Sequence, residues 1–228
     1  MRRMRWRAFT LVEVLVVVAI SAIVVALLWT VVHQVRGQAQ VRSCMSNLGQ
    51  LGKAFQLYLQ DWEERFPSAG RLPPYPDAPW VLQEQGRIYP ERGVIYPYVR
   101  DRSVYLCPSD PTAHRFSLSY KMNARLGWIA GGPTMHLSEL ASPSEMALLA
   151  EFEKHGYFDT AFGPCSMGFP GELAYPCSGE EAPCFGGRCL DVALGCWHVG
   201  KLTNVLFCDG HVRGVVRGAF LCRYTQNR

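Results

Sequence analysis

The sequence predicts an α+β protein: a long N-terminal helix packed on a small antiparallel sheet, with a disulfide-rich loop inserted in the sheet domain. Three observations predict this class. An apolar run near the N-terminus continues into a stripe with helical spacing. Short apolar runs separated by turn residues follow. Seven of the nine cysteines lie between Cys165 and Cys222, a density that indicates disulfides and an oxidising compartment.

The apolar run predicts a transmembrane helix at residues 9–35. From Val14 to Val35 the chain has no Asp, Glu, Lys or Arg. Its apolar core, Val14 to Val32, would be about 28 Å long as a helix, which matches the roughly 30 Å hydrocarbon core of a bilayer. Cleaved secretory signals have shorter apolar stretches, and in lipid a helix satisfies its own backbone groups.

Basic residues are concentrated before this run. Residues 1–8 form a basic leader with four arginines and no acid. Without those four, the remaining basic residues only equal the 19 acidic ones in number, so we expect no nucleic-acid partner. Arginines ahead of a single span place the N-terminus in the cytoplasm and residues 65–228 across the inner membrane, in the periplasm or outside the cell.

Residues 36–64 are predicted to continue the helix as an amphipathic segment. Its apolar positions are spaced alternately by four and three residues, which puts them on one helix face. They are Val41, Met45, Leu48, Gly52, Phe55, Leu59 and Trp62. We expect this stripe to pack on the exported globular domain at 65–228, and a coiled-coil dimer is the alternative.

A carboxylate stands at the start of the apolar run. Glu13 is costly there unless it is paired or reaches water at the membrane interface, so it is a functional candidate. The string AFTLVE at 8–13, placed between the basic leader and the span, resembles the cleavage and methylation motif of type IV prepilins and type II secretion pseudopilins. That motif reads Gly-Phe-Thr-Leu-x-Glu, so Ala8 replaces the usual glycine.

This resemblance implies processing and assembly. A prepilin peptidase and methyltransferase would cut between Ala8 and Phe9 and methylate the new amine of Phe9. Glu13 would then pair with the Phe9 amine of a neighbouring subunit, which offsets the cost of burying both charges and sets the register. The implied protein is a structural subunit and not an enzyme. Its partners are other pilin or pseudopilin subunits, an inner-membrane assembly platform and membrane lipid, and no cofactor is implied.

The exported domain shows strand and turn signals. The run EMALLAE at 145–151 predicts a buried strand, and Asp209-Gly210 between two apolar runs predicts a hairpin turn. Strings in this domain also resemble a large bacterial prepilin-like group that ends in a His-x(9–10)-Asp-Gly pattern, here His198 and Asp209-Gly210. The strings lie at 107–111, 119–127, 137–151 and 198–212.

Two further sets of residues are candidates for chemistry or cross-linking. His198, Asp209 and His211 could bind a divalent metal, but a turn and a strand end explain Asp209 and His211, so no metal is predicted. The Cys-rich insert at 157–196 lacks the Cys-x2-Cys spacing of zinc ribbons and is predicted to be a disulfide-held loop. The candidate disulfide cysteines are Cys165, Cys177, Cys184, Cys189, Cys196, Cys208 and Cys222. Since the number of cysteines is odd, one is left over, and Cys44 or Cys107 is expected to be that thiol.

Three functions follow from these features. The leading one is a pilin or pseudopilin, major or minor, of a type IV pilus-like or type II secretion filament. The alternative is a single-span exported protein that captures a ligand through its disulfide loop without forming filaments. The third is an exported metalloenzyme that uses the two histidines and the aspartate.

Overall fold

A long helix and two sheets make up the described part of the computed structural model, which comprises residues 10–70, 79–127, 134–151, 161–162, 198 and 202–216. The helices are α1 (Leu11–Asp61), α2 (Tyr96–Val99) and α3 (Ala113–Phe116), with 3-10 turns at Pro90–Arg92, Arg102–Tyr105 and Leu137–Glu139. The strands are β1 (Leu82–Glu84), β2 (Arg87–Tyr89), β3 (Tyr120–Asn123), β4 (Ala147–Glu151), β5 (Ala161–Phe162), β6 (Leu202–Phe207) and β7 (Val212–Val216).

The chain divides into two units, Met1–Ala39 and Gln40–Arg228. The first contains the apolar part of α1, whose large side chains are exposed: Leu11 by 75% and Leu27 by 66%. Among the described residues, helix α1 is the candidate membrane span, because its length and composition would allow it to cross a bilayer. From Val14 to Val35 this helix has no Asp, Glu, Lys or Arg, and its exposed apolar side chains suit contact with lipid. A helix also pairs its own backbone groups, which lipid cannot do.

The second unit is built around a five-stranded sheet with the order β5-β3-β4-β6-β7. Strand β4 is central and antiparallel to both β3 and β6, and β6 forms an antiparallel hairpin with β7. All five residues of β4 are buried, as its unbroken apolar run predicts. The short strand β5 is parallel to β3, so this one pair departs from the predicted antiparallel arrangement. Strands β1 and β2 form a separate antiparallel pair.

The amphipathic part of α1 supplies one side of the core. Leu48, Phe55 and Leu59 of the predicted stripe are buried, whereas Trp62 at its end is 55% exposed. The buried face is wider than the stripe, because it also includes Cys44, Leu51, Ala54 and Tyr58. These side chains share one core cluster with residues of the sheet, among them Tyr120, Met122, Leu149 and Leu206. The α+β class, with a long N-terminal helix and an antiparallel sheet, is confirmed.

Candidate functional site

A disulfide joins α1 to the loop before α3. Cys44 lies on the buried face of the helix and is bonded to Cys107, 63 positions later in the chain. A hydrogen bond fixes the same junction, because the Asn47 side-chain amide donates to the Leu106 carbonyl oxygen at 2.8 Å. This correction replaces the expectation that Cys44 or Cys107 is the unpaired thiol. The sequence-based assignment failed because residues so far apart in the chain carry no signal of spatial proximity.

A buried aspartate orders the loop that carries Cys107. Asp110 accepts hydrogen bonds from the Thr112 backbone N–H and hydroxyl, both at 2.7 Å. It also accepts one from the Ser119 hydroxyl, whose oxygen in turn accepts the Cys107 N–H at 2.9 Å. These bonds satisfy turn groups that would be costly to bury unpaired. They explain the Cys-Pro-Ser-Asp-Pro string at 107–111, because Asp110 holds the turn that presents the Cys107 sulfur to the helix.

A polar cluster lies beside this disulfide at the end of β4. Side chains alternate between the faces of a strand, and the register places Glu151 and Asn204 on the face that carries the core residues Leu149 and Leu206. The Glu151 carboxylate accepts from the Asn204 backbone N–H at 2.8 Å and its side-chain amide at 3.1 Å. His198 Nε2 lies 2.9 Å from Glu151 Oε1, and both side chains are fully buried.

Four possible metal ligands therefore meet in one place. Atoms of Cys44, Cys107, Glu151 and His198 all lie within 4.8 Å of one another, and all four residues are buried. The distance from Cys107 Sγ to His198 Nε2 is 3.8 Å. Nearby, burial raises the pKa of the Tyr120 phenol well above its ordinary value, and the Glu151 charge raises it further. The cluster is thus a buried place at which a carboxylate, an imidazole and two sulfurs converge.

The N-terminus of α1 is capped by reciprocal hydrogen bonds between Thr10 and Glu13. The Glu13 N–H donates to the Thr10 hydroxyl oxygen at 3.3 Å. Glu13 Oε2 accepts from the Thr10 backbone N–H and hydroxyl, both at 2.8 Å. This capping box satisfies two N–H groups that have no partner within a helix, and it places a carboxylate at the helix N-terminus, where the dipole favours it. Thr10 and Glu13 therefore define where the apolar helix begins.

Residues 4–29 match the family model of the prokaryotic N-terminal methylation motif. The match covers the end of the basic leader, the capping box and most of the apolar run, and it supports a pilin-like class for this chain. Together with the apolar helix it fits a membrane-anchored protein of the pilin or pseudopilin type. No curated protein matches the chain, and neither does any solved structure.

The described residues do not bring the three hairpin-region candidates together. His198 lies in the buried cluster, whereas Asp209 and His211 contact each other, with 2.6 Å between Asp209 Oδ1 and His211 Nδ1, and are partly exposed. Asp209 and Gly210 lie in the turn between β6 and β7, and Gly210 has a positive φ of 93°. The His211 ring stacks on Phe207 at 4.3 Å.

Of the remaining candidates, Cys208 lies among the described residues and the others do not. Cys208 is a free, buried thiol in the structure, which differs from its prediction as a disulfide cysteine. Burial raises its pKa well above the ordinary value, and the Asp209 charge raises it further, so the reactive thiolate is disfavoured. The other predicted positions lie outside the described residues: Ala8, Phe9, Cys165, Cys177, Cys184, Cys189, Cys196 and Cys222.

Sequence reasoning missed Glu151 and Asn204 as members of a cluster and missed the partnership of Cys44 with Cys107. One signal was present: Cys44 precedes Leu48, Leu51 and Phe55 by helical spacing, which puts it on the buried face. A charged residue at the end of the apolar run at 145–151 was a second signal. Neither signal names a partner, because the partners come from distant segments.

Proposed function

We propose that this chain is a structural subunit, a pilin or pseudopilin, of a type IV pilus-like or type II secretion filament. The observation that supports it is the methylation motif at 4–29, which runs directly into an apolar helix with a carboxylate in its first turn. In this proposal, a prepilin peptidase removes residues 1–8 and methylates Phe9, and an inner-membrane assembly platform adds the subunit to a filament of like subunits.

The capping box gives the proposal a specific chemistry. Both hydrogen bonds from Thr10 are accepted by Glu13 Oε2. In the assembled filament we assign Glu13 Oε1 to the methylated Phe9 amine of a neighbouring subunit. A cationic amine and a carboxylate are each costly in an apolar zone, and pairing them offsets that cost while specifying one register. Thr10 would hold the carboxylate in place before the neighbour arrives.

Two variants separate the charge from the cap. Glu13→Gln keeps an oxygen that can accept from Thr10 but removes the charge, so we expect normal membrane insertion and loss of incorporation into filaments. Thr10→Ala removes the side-chain cap but keeps the charge, so filaments should still form. The measurement is the amount of each variant in sheared filament fractions and in intersubunit cross-links from whole cells.

Two outcomes would contradict the proposal. If Glu13→Gln enters filaments as efficiently as the unaltered protein, charge pairing does not drive assembly. If the unaltered protein is found only as a membrane-inserted monomer, the alternative of an anchored ligand-binding protein is favoured instead.

A further inference from the structure

The cluster around His198 contains a hydrogen-bonding conflict. Nε2 of a histidine ring carries either one hydrogen or one lone pair. In the structure Nε2 lies 2.9 Å from Glu151 Oε1 and also 2.9 Å from Asn204 Nδ2. A protonated Nε2 can donate to Glu151, but it then faces the amide hydrogens of Asn204. An unprotonated Nε2 can accept from Asn204, but its lone pair then faces the carboxylate.

Reversing the amide of Asn204 does not resolve the conflict. The amide oxygen would then stand at the position of Nδ2, 3.1 Å from Glu151 Oε1, and two acceptors would face each other. Two polar atoms of the cluster, His198 Nδ1 and Asn204 Oδ1, are also buried without a hydrogen-bond partner among the described residues. Neither tautomer of His198 therefore satisfies all three side chains, and a cation bound between the Glu151 carboxylate and an unprotonated Nε2 would remove the repulsion between their lone pairs.

We propose that reduction of the Cys44–Cys107 disulfide converts this cluster into a zinc site with the ligands Cys44, Cys107, Glu151 and His198. Thiolate, imidazole and carboxylate are all zinc ligands, and structural zinc sites are four-coordinate and tetrahedral. Ligand atoms in such a site lie about 3.3–3.8 Å apart, by the usual bond lengths and tetrahedral geometry. The 3.8 Å between Cys107 Sγ and His198 Nε2 falls at the upper end of that range. The 2.9 Å between Glu151 Oε1 and His198 Nε2 is shorter, so these two atoms would move apart as the ion enters.

Neighbouring groups support the ligands from outside. The Asn204 backbone N–H holds Glu151 Oε2, which directs Oε1 toward His198 Nε2. The Asp110–Ser119 pair fixes the turn that carries Cys107. Outer partners of this kind orient metal ligands and raise affinity. Two thiolates among the ligands favour zinc over magnesium or calcium, which prefer oxygen.

The disulfide and the zinc ion exclude each other, because both use the same two sulfurs. A dithiol reductant would break the S–S bond by giving two electrons and two protons, and would itself become a disulfide. The two new thiols then lose their protons to solvent as zinc binds. Either cross-link connects α1 to the 107–111 loop, so zinc would stabilise the domain before oxidation and the disulfide after it. This inference does not depend on filament assembly.

Cysteine footprinting of the full-length protein in detergent tests the inference. The protein is reduced with dithiothreitol, desalted without oxygen, and alkylated with or without one equivalent of zinc chloride; peptide mass spectrometry then reports each cysteine. We expect zinc to suppress alkylation of Cys44 and Cys107. Equal alkylation of these two with and without zinc overturns the proposal, and so does protection confined to other cysteines. This readout needs no variant, so misfolding of a mutant cannot obscure it.

Two variants then test the ligand set. His198→Ala should lose the zinc-dependent protection of Cys44 and Cys107, with circular dichroism of the oxidised variant checking that it is folded. The matched control is Cys208→Ser, which alters a buried thiol outside the cluster and should keep the protection. Cobalt added in place of zinc should give thiolate charge-transfer absorption in the control. If His198→Ala retains both the protection and the absorption, the proposed ligand set is wrong.

Discussion

Gly52 lies where helix α1 packs closely against strand β6. A Cβ atom built there would lie 2.8 Å from Leu206 Cδ1 and 3.5 Å from the Gly210 carbonyl oxygen. Leu206 is fully buried, so its methyl group cannot move aside without displacing other core atoms. The missing side chain at Gly52 therefore leaves room for Leu206, although glycine weakens a helix interior.

We expect Gly52→Ala to destabilise the second unit. Overpacking a core costs about 1–3 kcal/mol, which outweighs the gain of up to about 1 kcal/mol in helix propensity. The matched control is Gly49→Ala on the same helix, where nothing lies within 4 Å of the added Cβ. The measurement is the denaturant midpoint of the full-length protein in detergent, followed by tryptophan fluorescence.

Gly49→Ala should be neutral or stabilising, because it adds helix propensity without a clash. The packing explanation is contradicted if both variants shift the midpoint in the same direction by the same amount. Equal shifts would mean that helix propensity alone controls the response at both positions.

At the scale of elements, the disulfide is the covalent link between α1 and the loop before α3. It closes a segment with a sequence separation of 63 residues. A cross-link over that length lowers the conformational entropy of the unfolded chain. In the chain-entropy model this stabilises the folded state by about 4 kcal/mol. The link is well placed for this effect, because the five-stranded sheet follows the closed segment and packs on the same helix face.

The double variant Cys44→Ala, Cys107→Ala should lower the free energy of unfolding of the oxidised protein by about 2–4 kcal/mol. A guanidinium titration with a metal chelator present measures the loss and keeps zinc from contributing. Cys208→Ala is the control, because it removes a buried sulfur that forms no disulfide. A double variant as stable as the control would show that the sheet and helix packing hold the domain without the cross-link.

The β6–β7 hairpin is the second element with a clear role. Its turn lies against α1, because Gln56 Nε2 donates to the Asp209 carbonyl oxygen at 3.2 Å. A side chain at Gly210 would meet Gln56 at 2.4 Å and would also be strained by the positive φ. The Asp-Gly pair therefore serves both the turn and the contact with the helix.

At the scale of the whole molecule, the chain combines a segment suited to lipid with a domain that has its own core. The second unit contains the disulfide, the polar cluster and the five-stranded sheet. The apolar segment carries the methylation motif. This division fits a membrane-anchored protein whose second unit folds around a core of its own.

Processing is the whole-molecule event that the motif predicts. We expect the mature chain to begin at N-methylated Phe9, because cleavage after Ala8 removes the basic leader while leaving the apolar helix intact. Intact-mass spectrometry of the membrane-extracted protein measures it. Ala8→Gly restores the usual residue of the motif and should speed the appearance of the mature form in a pulse–chase experiment. A chain that still begins at Met1 would contradict the prediction.

Local sequence patterns predicted much of the architecture. Apolar spacing predicted α1 and its buried face, the run at 145–151 predicted β4, and an Asp-Gly pair predicted the last hairpin. The parallel placement of β5 beside β3 was not predicted, because strand order depends on long-range pairing and not on the residues of one strand. The width of the helix face was also underestimated, because burial depends on what packs against the helix.

The sequence by itself determined the features that arise within a few residues of each other: the basic leader, the uncharged span, the Thr10–Glu13 motif and the hairpin turn. Only the tertiary structure decided which distant groups meet. It paired Cys44 with Cys107, and it placed His198 against Glu151 and Asn204. Asp209 contacts His211 instead. The physical reason is that helix spacing, capping and turns are local energies, whereas disulfides and buried polar clusters depend on how whole elements pack.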